Sequence, residues 1–138
     1  MHGLAAKGIE ALATHLRELS VAEGGRIFSI GDLGDELFFI RRGRVHVYLP
    51  LPGGKLHHLA TFCRGEFFGE MAFLDRAVRS ADAVAAKPTE LYVLSRAEFD
   101  ALAADDQLLA ALVFERLARG IAQRLRVTNT ELQILENR

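Results

Sequence analysis

A single cysteine, Cys63, stands in a chain of 138 residues. No disulfide can form within the chain, and a reducing cytoplasm is the expected setting. No helical His partner lies near Cys63, so it reads as a buried thiol rather than a nucleophile. Excess charge of either sign is also missing. Seventeen Lys and Arg against eighteen Asp and Glu leave a net charge of −1, which provides no general field for nucleic acid or acidic membranes. The longest clean apolar run, Leu108 to Phe114, is far too short to span a bilayer. The N-terminus lacks a basic segment followed by an apolar signal core. Clustered metal ligands are scarce as well. His46 stands alone in VHV, and His57 and His58 are adjacent, so on a strand they point to opposite faces. His2 and His15 read as surface residues. No metal site and no cofactor is expected, and no Ser-His-Asp or Cys-His arrangement suggests an enzyme.

What is present suits one ordinary core. Half the residues are hydrophobic and a quarter are charged, which argues against disorder and for a single domain over 1–138. Ile9, Leu12, Leu16 and Leu19 recur at steps of three and four, predicting an amphipathic helix over 4–19. From Gly24 to Leu94 short β-rich runs (RIFSI, ELFFI, RVHVYL, HHLATF, ELYVL) alternate with Gly and Asp turns. This pattern predicts a β core over 24–94, built as a barrel or jelly roll. PGGK at 52–55 is the clearest hairpin tip. Ser95 and Glu98 have capping-box spacing. Helices are predicted over 96–136, the last beginning near 106 with no proline and one glycine, Gly120. The fold class is therefore mainly β with flanking helices.

On the last helix Phe114, Ala118, Ile121, Leu125, Thr128, Leu132 and Leu135 alternate at steps of four and three. Such a heptad seam argues for a homodimer through the C-terminal helix. Leu108, Leu109, Leu112 and Val113 favour packing on the chain's own core for the first half. Thr128 is the one polar residue on the seam, so it sets register or touches a ligand. Arg116, Arg119, Arg124 and Arg126 are diluted by Glu115, Glu131 and Glu136. They read as a solvated face rather than a nucleic-acid stripe.

The stretch FFGEMAFLDRAVRSADA, residues 67–83, carries the chemistry. Gly69 precedes a segment, Glu70 to Leu74, able to make a helical turn. Amides at a helix start carry partial positive charge and suit a phosphate. Gly69 permits close backbone approach. Arg79 offers a two-pronged contact to phosphate oxygens, Ser80 a hydroxyl, and Glu70 an acceptor for a ribose hydroxyl. Together these groups would read a sugar phosphate. A structural Glu70–Arg79 salt bridge is the plainer alternative on composition alone.

The order of these residues resembles the phosphate-binding cassette of cyclic nucleotide-binding domains: Phe-Gly-Glu, apolar, Ala, then Arg, a small residue and Ala. GGRIFSIGDLGDELFFIRRGRVHVYL is similar to the opening strands of that family. ELYVLSRAEFDAL is similar to its last strand and following helix, so the resemblance covers about residues 20–136. It implies that Gly69 makes the turn, Glu70 accepts from the ribose 2′-hydroxyl, and Arg79 pairs with the cyclic phosphate. The amides of Met71 and Ala72, with Ser80 and Ala81, complete the cradle. RLARGIAQRLRVTNTELQIL resembles the dimerisation helix of catabolite-activator-type members, which implies that Thr128 touches the base. Asn129 stands where those members carry a serine that reaches the ligand from the other subunit. The implied ligand is cAMP, with cGMP the other nucleotide the cassette admits.

No helix-turn-helix follows the long helix before Arg138, so direct DNA binding by this chain is not expected. The expected function is a cytoplasmic sensor that relays occupancy to an attached domain or partner such as a transporter, channel or enzyme. It would work in the cytoplasm or at the cytoplasmic face of a membrane protein, without inserting. The competing function is a module of the same shape that only dimerises or docks.

Overall fold

The computed structural model describes residues 12–136. By its contacts the chain divides into two compact units, Met1–Ala101 and Leu102–Arg138.

The first unit holds eight strands. They are β1 (Arg17–Val21), β2 (Arg26–Phe28), β3 (Leu37–Arg42), β4 (Arg44–Pro50), β5 (Leu56–Cys63), β6 (Phe67–Phe68), β7 (Asp82–Ala85) and β8 (Thr89–Leu94). A short helix, α1 (Glu70–Asp75), interrupts them between β6 and β7. Two antiparallel four-stranded sheets result, ordered β1-β8-β3-β6 and β2-β7-β4-β5. Phe38, Ile40, Phe68, Leu91 and Val93 of the first sheet share one buried cluster with Val45 and Ala83 of the second. The sheets therefore face each other across a common core, as in a jelly roll. Alternation explains the facing. In β8, Leu91 and Val93 are buried while Glu90 and Tyr92 are not, because successive side chains point to opposite faces. The β4–β5 connection is a 3-10 turn at Pro52–Gly54, where Gly53 and Gly54 have φ of 82° and 77°.

The helix predicted over 4–19 is corrected at its C-terminal end; residues 4–11 lie outside the described residues. His15 N donates to Leu12 O and Leu16 N to Ala13 O in a tight turn. The chain then enters β1, which pairs with β8 along its whole length. Leu16 and Leu19 fit a helical step, but Leu19 and Val21 also fit a step of two, and both pack against the core cluster. Cross-strand hydrogen bonding and burial override a short local period. The β core thus begins at Arg17 rather than Gly24.

Two further helices follow, α2 (Arg96–Asp105) and α3 (Gln107–Glu136). Ser95 Oγ accepts from Glu98 N at 3.1 Å, as its capping position predicts. The Glu98 carboxylate lies 3.0 Å from Nδ1 of the half-buried His15. In α3 the buried residues are Leu109, Ala110, Val113 and Leu117. Leu125, Leu132 and Leu135, from the predicted seam, are exposed. The helix therefore carries two apolar faces, one buried within the chain and one not. Among the described residues no helix is long and apolar enough to cross a membrane.

Cys63 is exposed, contrary to the buried thiol expected. It ends β5 opposite Arg44, one step beyond Phe62, which contacts the core. Strand alternation turns it outward.

Candidate functional site

Strand β6 pairs with β3 through Phe68↔Phe38 and Phe67↔Phe39. This fixes the point at which the chain must turn into α1. Gly69 makes the turn with φ 82°, ψ 12°. A Cβ there would lie 2.9 Å from Arg79 Nη1 and 3.1 Å from Glu36 O, so both the backbone angle and the space demand glycine. Helix α1 opens with Glu70, which complements the partial positive charge of the helix start. The amides of Met71 and Ala72 follow in the first turn, where helical amides have no partner within the helix. The helix stops at Arg76, in the left-handed region at φ 58°, whose N–H donates to Ala72 O at 2.8 Å.

Arg79 is 5% exposed. Its Nη1 donates to Gly69 O at 3.0 Å and its Nη2 to Glu36 O at 2.9 Å. The guanidinium lies over the Phe28 ring, 4.3 Å from the centroid, with Phe38 at 5.5 Å. Burial pushes its pKa below the ordinary value. Glu36, then Asp35, Asp32 and Glu70, oppose that shift. Arginine stays charged throughout. Glu70 is one of four carboxylates whose charge acts on Arg79.

The Arg79 backbone is held separately. Its N–H donates to Asp32 O and its carbonyl accepts from Gly31 N. That turn is tied in turn to Asp82. The Asp82 carboxylate is 6% exposed and accepts from Ile30 N at 2.7 Å and Arg26 Nη1 at 3.1 Å. Sequence reasoning passed over Asp82; a carboxylate opening an otherwise apolar strand was the available signal. Asp82→Ala should lower stability by about 1–3 kcal/mol, because the part-buried Ile30 amide and Arg26 lose their acceptor. Asp82→Asn should cost less than about 1 kcal/mol, since Arg26 is largely exposed. Urea denaturation of both variants checks the order.

A cavity of about 200 Å³ lies beside these groups. All seven predicted phosphate and ribose residues line it: Gly69, Glu70, Met71, Ala72, Arg79, Ser80 and Ala81. Its other wall is apolar, with Phe28 and with Val47, Leu59, Ala60 and Phe62 of β4 and β5. The sequence reading did not name that wall, because strand pairing, not any local motif, brings it opposite the cassette. A corner with a guanidinium and a helix start, facing an apolar wall, suits a small ligand with an anionic group at one end and a flat ring at the other. Helix α1 is anchored behind the cavity: Phe73 meets Phe99 edge to face at 5.5 Å, and Arg96 Nη1 donates to Phe73 O.

Thr128 and Asn129 belong to the second unit, and both are exposed on α3. Thr128 Oγ1 donates to Arg124 O at 3.0 Å.

Fold and site together define a small jelly-roll domain with a polar corner in an apolar cavity. The family model for the cyclic nucleotide-binding domain matches residues 18–106, and the chain belongs to that family. The chain is 37% identical over 134 residues to the cyclic AMP receptor protein of Thermus thermophilus, covering 97% of this chain and 60% of that protein. It is 33% identical over 135 residues to glutaminase 1 of Bradyrhizobium diazoefficiens, covering 98% of this chain and 21% of that one. A crystal structure of the Thermus thermophilus catabolite activator protein superposes with a TM-score of 0.82, over 98% of this chain and 62% of the other. The chain thus spans less than two thirds of each of these relatives.

Proposed function

We propose that the chain is a sensor domain for a cyclic nucleotide, cAMP in the first place. One observation carries this: a buried guanidinium, a carboxylate and a helix start line a single cavity in a chain similar to a cyclic AMP receptor protein. Arg79 and the Met71 and Ala72 amides hold the cyclic phosphate, with Ser80 adding a hydroxyl and Ala81 closing the cradle. Glu70 accepts from the ribose 2′-hydroxyl. The base lies on the apolar wall and is read by Thr128, with Asn129 reaching it from a second subunit. Helix α3 pairs two copies through the Phe114–Leu135 seam, and residues 1–138 act as one domain. Ligand shifts the population of α3 positions. An attached domain or partner in the cytoplasm reads that shift, as the similarity to only part of longer proteins suggests.

Calorimetric titration with cAMP and cGMP tests the reading. Saturable binding, tighter for cAMP, is expected; binding of neither nucleotide overturns it. The ribose contact has its own test. A hydrogen bond to a charged group is worth about 1.5–3 kcal/mol, so 2′-deoxy-cAMP should bind about 10- to 150-fold more weakly than cAMP. In Glu70→Ala the two nucleotides should bind alike. Undiminished discrimination in that variant would remove Glu70 from the ribose.

A second reading, a docking or dimerisation module without ligand, draws on one observation. Arg79 donates to Gly69 O and Glu36 O, so it has a structural task of its own. Its presence alone does not demand a nucleotide.

A further inference from the structure

The outer face of the β4–β5 hairpin brings together side chains that strand alternation would keep apart. His46 pairs with Thr61, and Tyr48 with His58. Residues 58 and 61 are three apart, so in a regular strand they would face opposite ways. The register shifts between Val47 and Tyr48, leaving Leu59 as an extra residue on β5. This bulge returns His58 to the face of Thr61 and His46. His46 is therefore not alone, contrary to what its isolation in VHV suggests. The two imidazole centroids lie 5.1 Å apart. His46 Nδ1 is 2.9 Å and His58 Nε2 is 2.8 Å from the same atom, Thr61 Oγ1.

One hydroxyl carries one proton. It can donate to only one of the two ring nitrogens, so the other nitrogen must be the donor. Two imidazole nitrogens aimed at one point are also what a late transition-metal ion requires. We propose that His46 and His58 form a dihistidine site for a divalent ion of the Cu2+, Ni2+ and Zn2+ group. Imidazole suits these ions, whereas Mg2+ and Ca2+ prefer oxygen. Metal–nitrogen bonds of about 2.0–2.1 Å bring the two ring nitrogens to about 3 Å from each other. Small side-chain rotations supply that closure, and the proton on the donor nitrogen moves to the other nitrogen of its ring, so that both nitrogens facing the ion carry lone pairs. Among the described residues no three His, Cys, Asp or Glu side chains gather to hold a metal. Water and the Thr61 hydroxyl therefore complete the coordination, and the ion is exchangeable rather than structural. Leu59 and Ala60 line the cavity described above, so an ion on the outer face would hold that wall in its bulged register.

The site needs no nucleotide, and its test is separate. The full chain, free of tags, is titrated with Cu2+, Ni2+, Zn2+ and Mg2+ alone, by calorimetry and by electron paramagnetic resonance of the Cu2+ form. Saturable binding tightest for Cu2+, absent for Mg2+, with two nitrogen ligands in the spectrum, is expected. Loss of an outer-shell partner costs about 10- to 100-fold in metal affinity. Losing a ligand in His46→Ala or His58→Ala should cost at least as much. His57→Ala, on the other face, and His2→Ala should bind as the parent does. Unchanged affinity in both His46→Ala and His58→Ala overturns the proposal. So does loss of binding in His2→Ala or Cys63→Ser with both ring variants intact, since the ion would then sit elsewhere.

Discussion

Arg79→Ala is expected to weaken cAMP binding by about 10- to 150-fold and, independently of ligand, to destabilise the first unit. The binding loss follows from one charge-assisted contact worth about 1.5–3 kcal/mol. The stability loss has another origin. The guanidinium joins the carbonyl of Gly69, at the start of α1, to the carbonyl of Glu36, just before β3. It also stacks on Phe28. Truncation removes two donors from carbonyl groups in a half-buried setting and the contact with the ring, a further cost of about 2 kcal/mol or more. Arg79→Lys separates the two effects. An ammonium keeps the charge but not the planar fork, so part of the affinity should return while most of the stability does not. Urea melts and nucleotide titrations on folded samples give both readings. Lower stability with unchanged affinity would remove Arg79 from the phosphate contact. Lower affinity with unchanged stability would show that the carbonyl bonds contribute nothing net.

Gly69→Ala should combine backbone strain with a steric clash at the cavity. Left-handed backbone costs an L-residue about 1–2 kcal/mol. Gly53 has the same φ, 82°, yet a Cβ there would meet nothing within 4 Å. Gly53→Ala therefore reports the backbone term alone. At Gly69 the new carbon would lie 2.9 Å from Arg79 Nη1 and 3.1 Å from both Glu36 O and Phe38 Cδ2. Overpacking of this kind adds about 1–3 kcal/mol. Gly69→Ala should thus exceed Gly53→Ala in lost stability and alone impair nucleotide binding. Equal losses in the two variants would mean that the cassette relaxes around the methyl, and that the close approach to Arg79 is not required.

Much of the cavity's polar corner is local in sequence. Gly69 to Ala72 and Arg79 to Ala81 lie within thirteen residues, so their order could be read before any fold was known. The β runs were equally visible, because alternation and glycine turns are short-range signals. The N-terminal boundary was not. Leu16, Leu19 and Val21 satisfy helical and strand periods over too few residues to choose, and only the partner strand β8 decides. Cys63 was misplaced for a similar reason: its chemistry suggested burial, while its parity on β5 turned it outward.

By itself the sequence determined the class of fold, the cassette and the residue types able to meet a sugar phosphate. These depend on local pattern, which the chain carries wherever it goes. The tertiary structure alone decided what those residues face. It set Arg79 between two main-chain carbonyls and a phenyl ring, giving it a structural task beside any ligand. It put Asp82 behind the turn that holds the Arg79 backbone. It supplied the apolar wall from β4 and β5. It also moved His58 to the side of His46 through one unpaired residue, Leu59. Such juxtapositions arise from strand register, and a shift of one residue reverses every side chain beyond it.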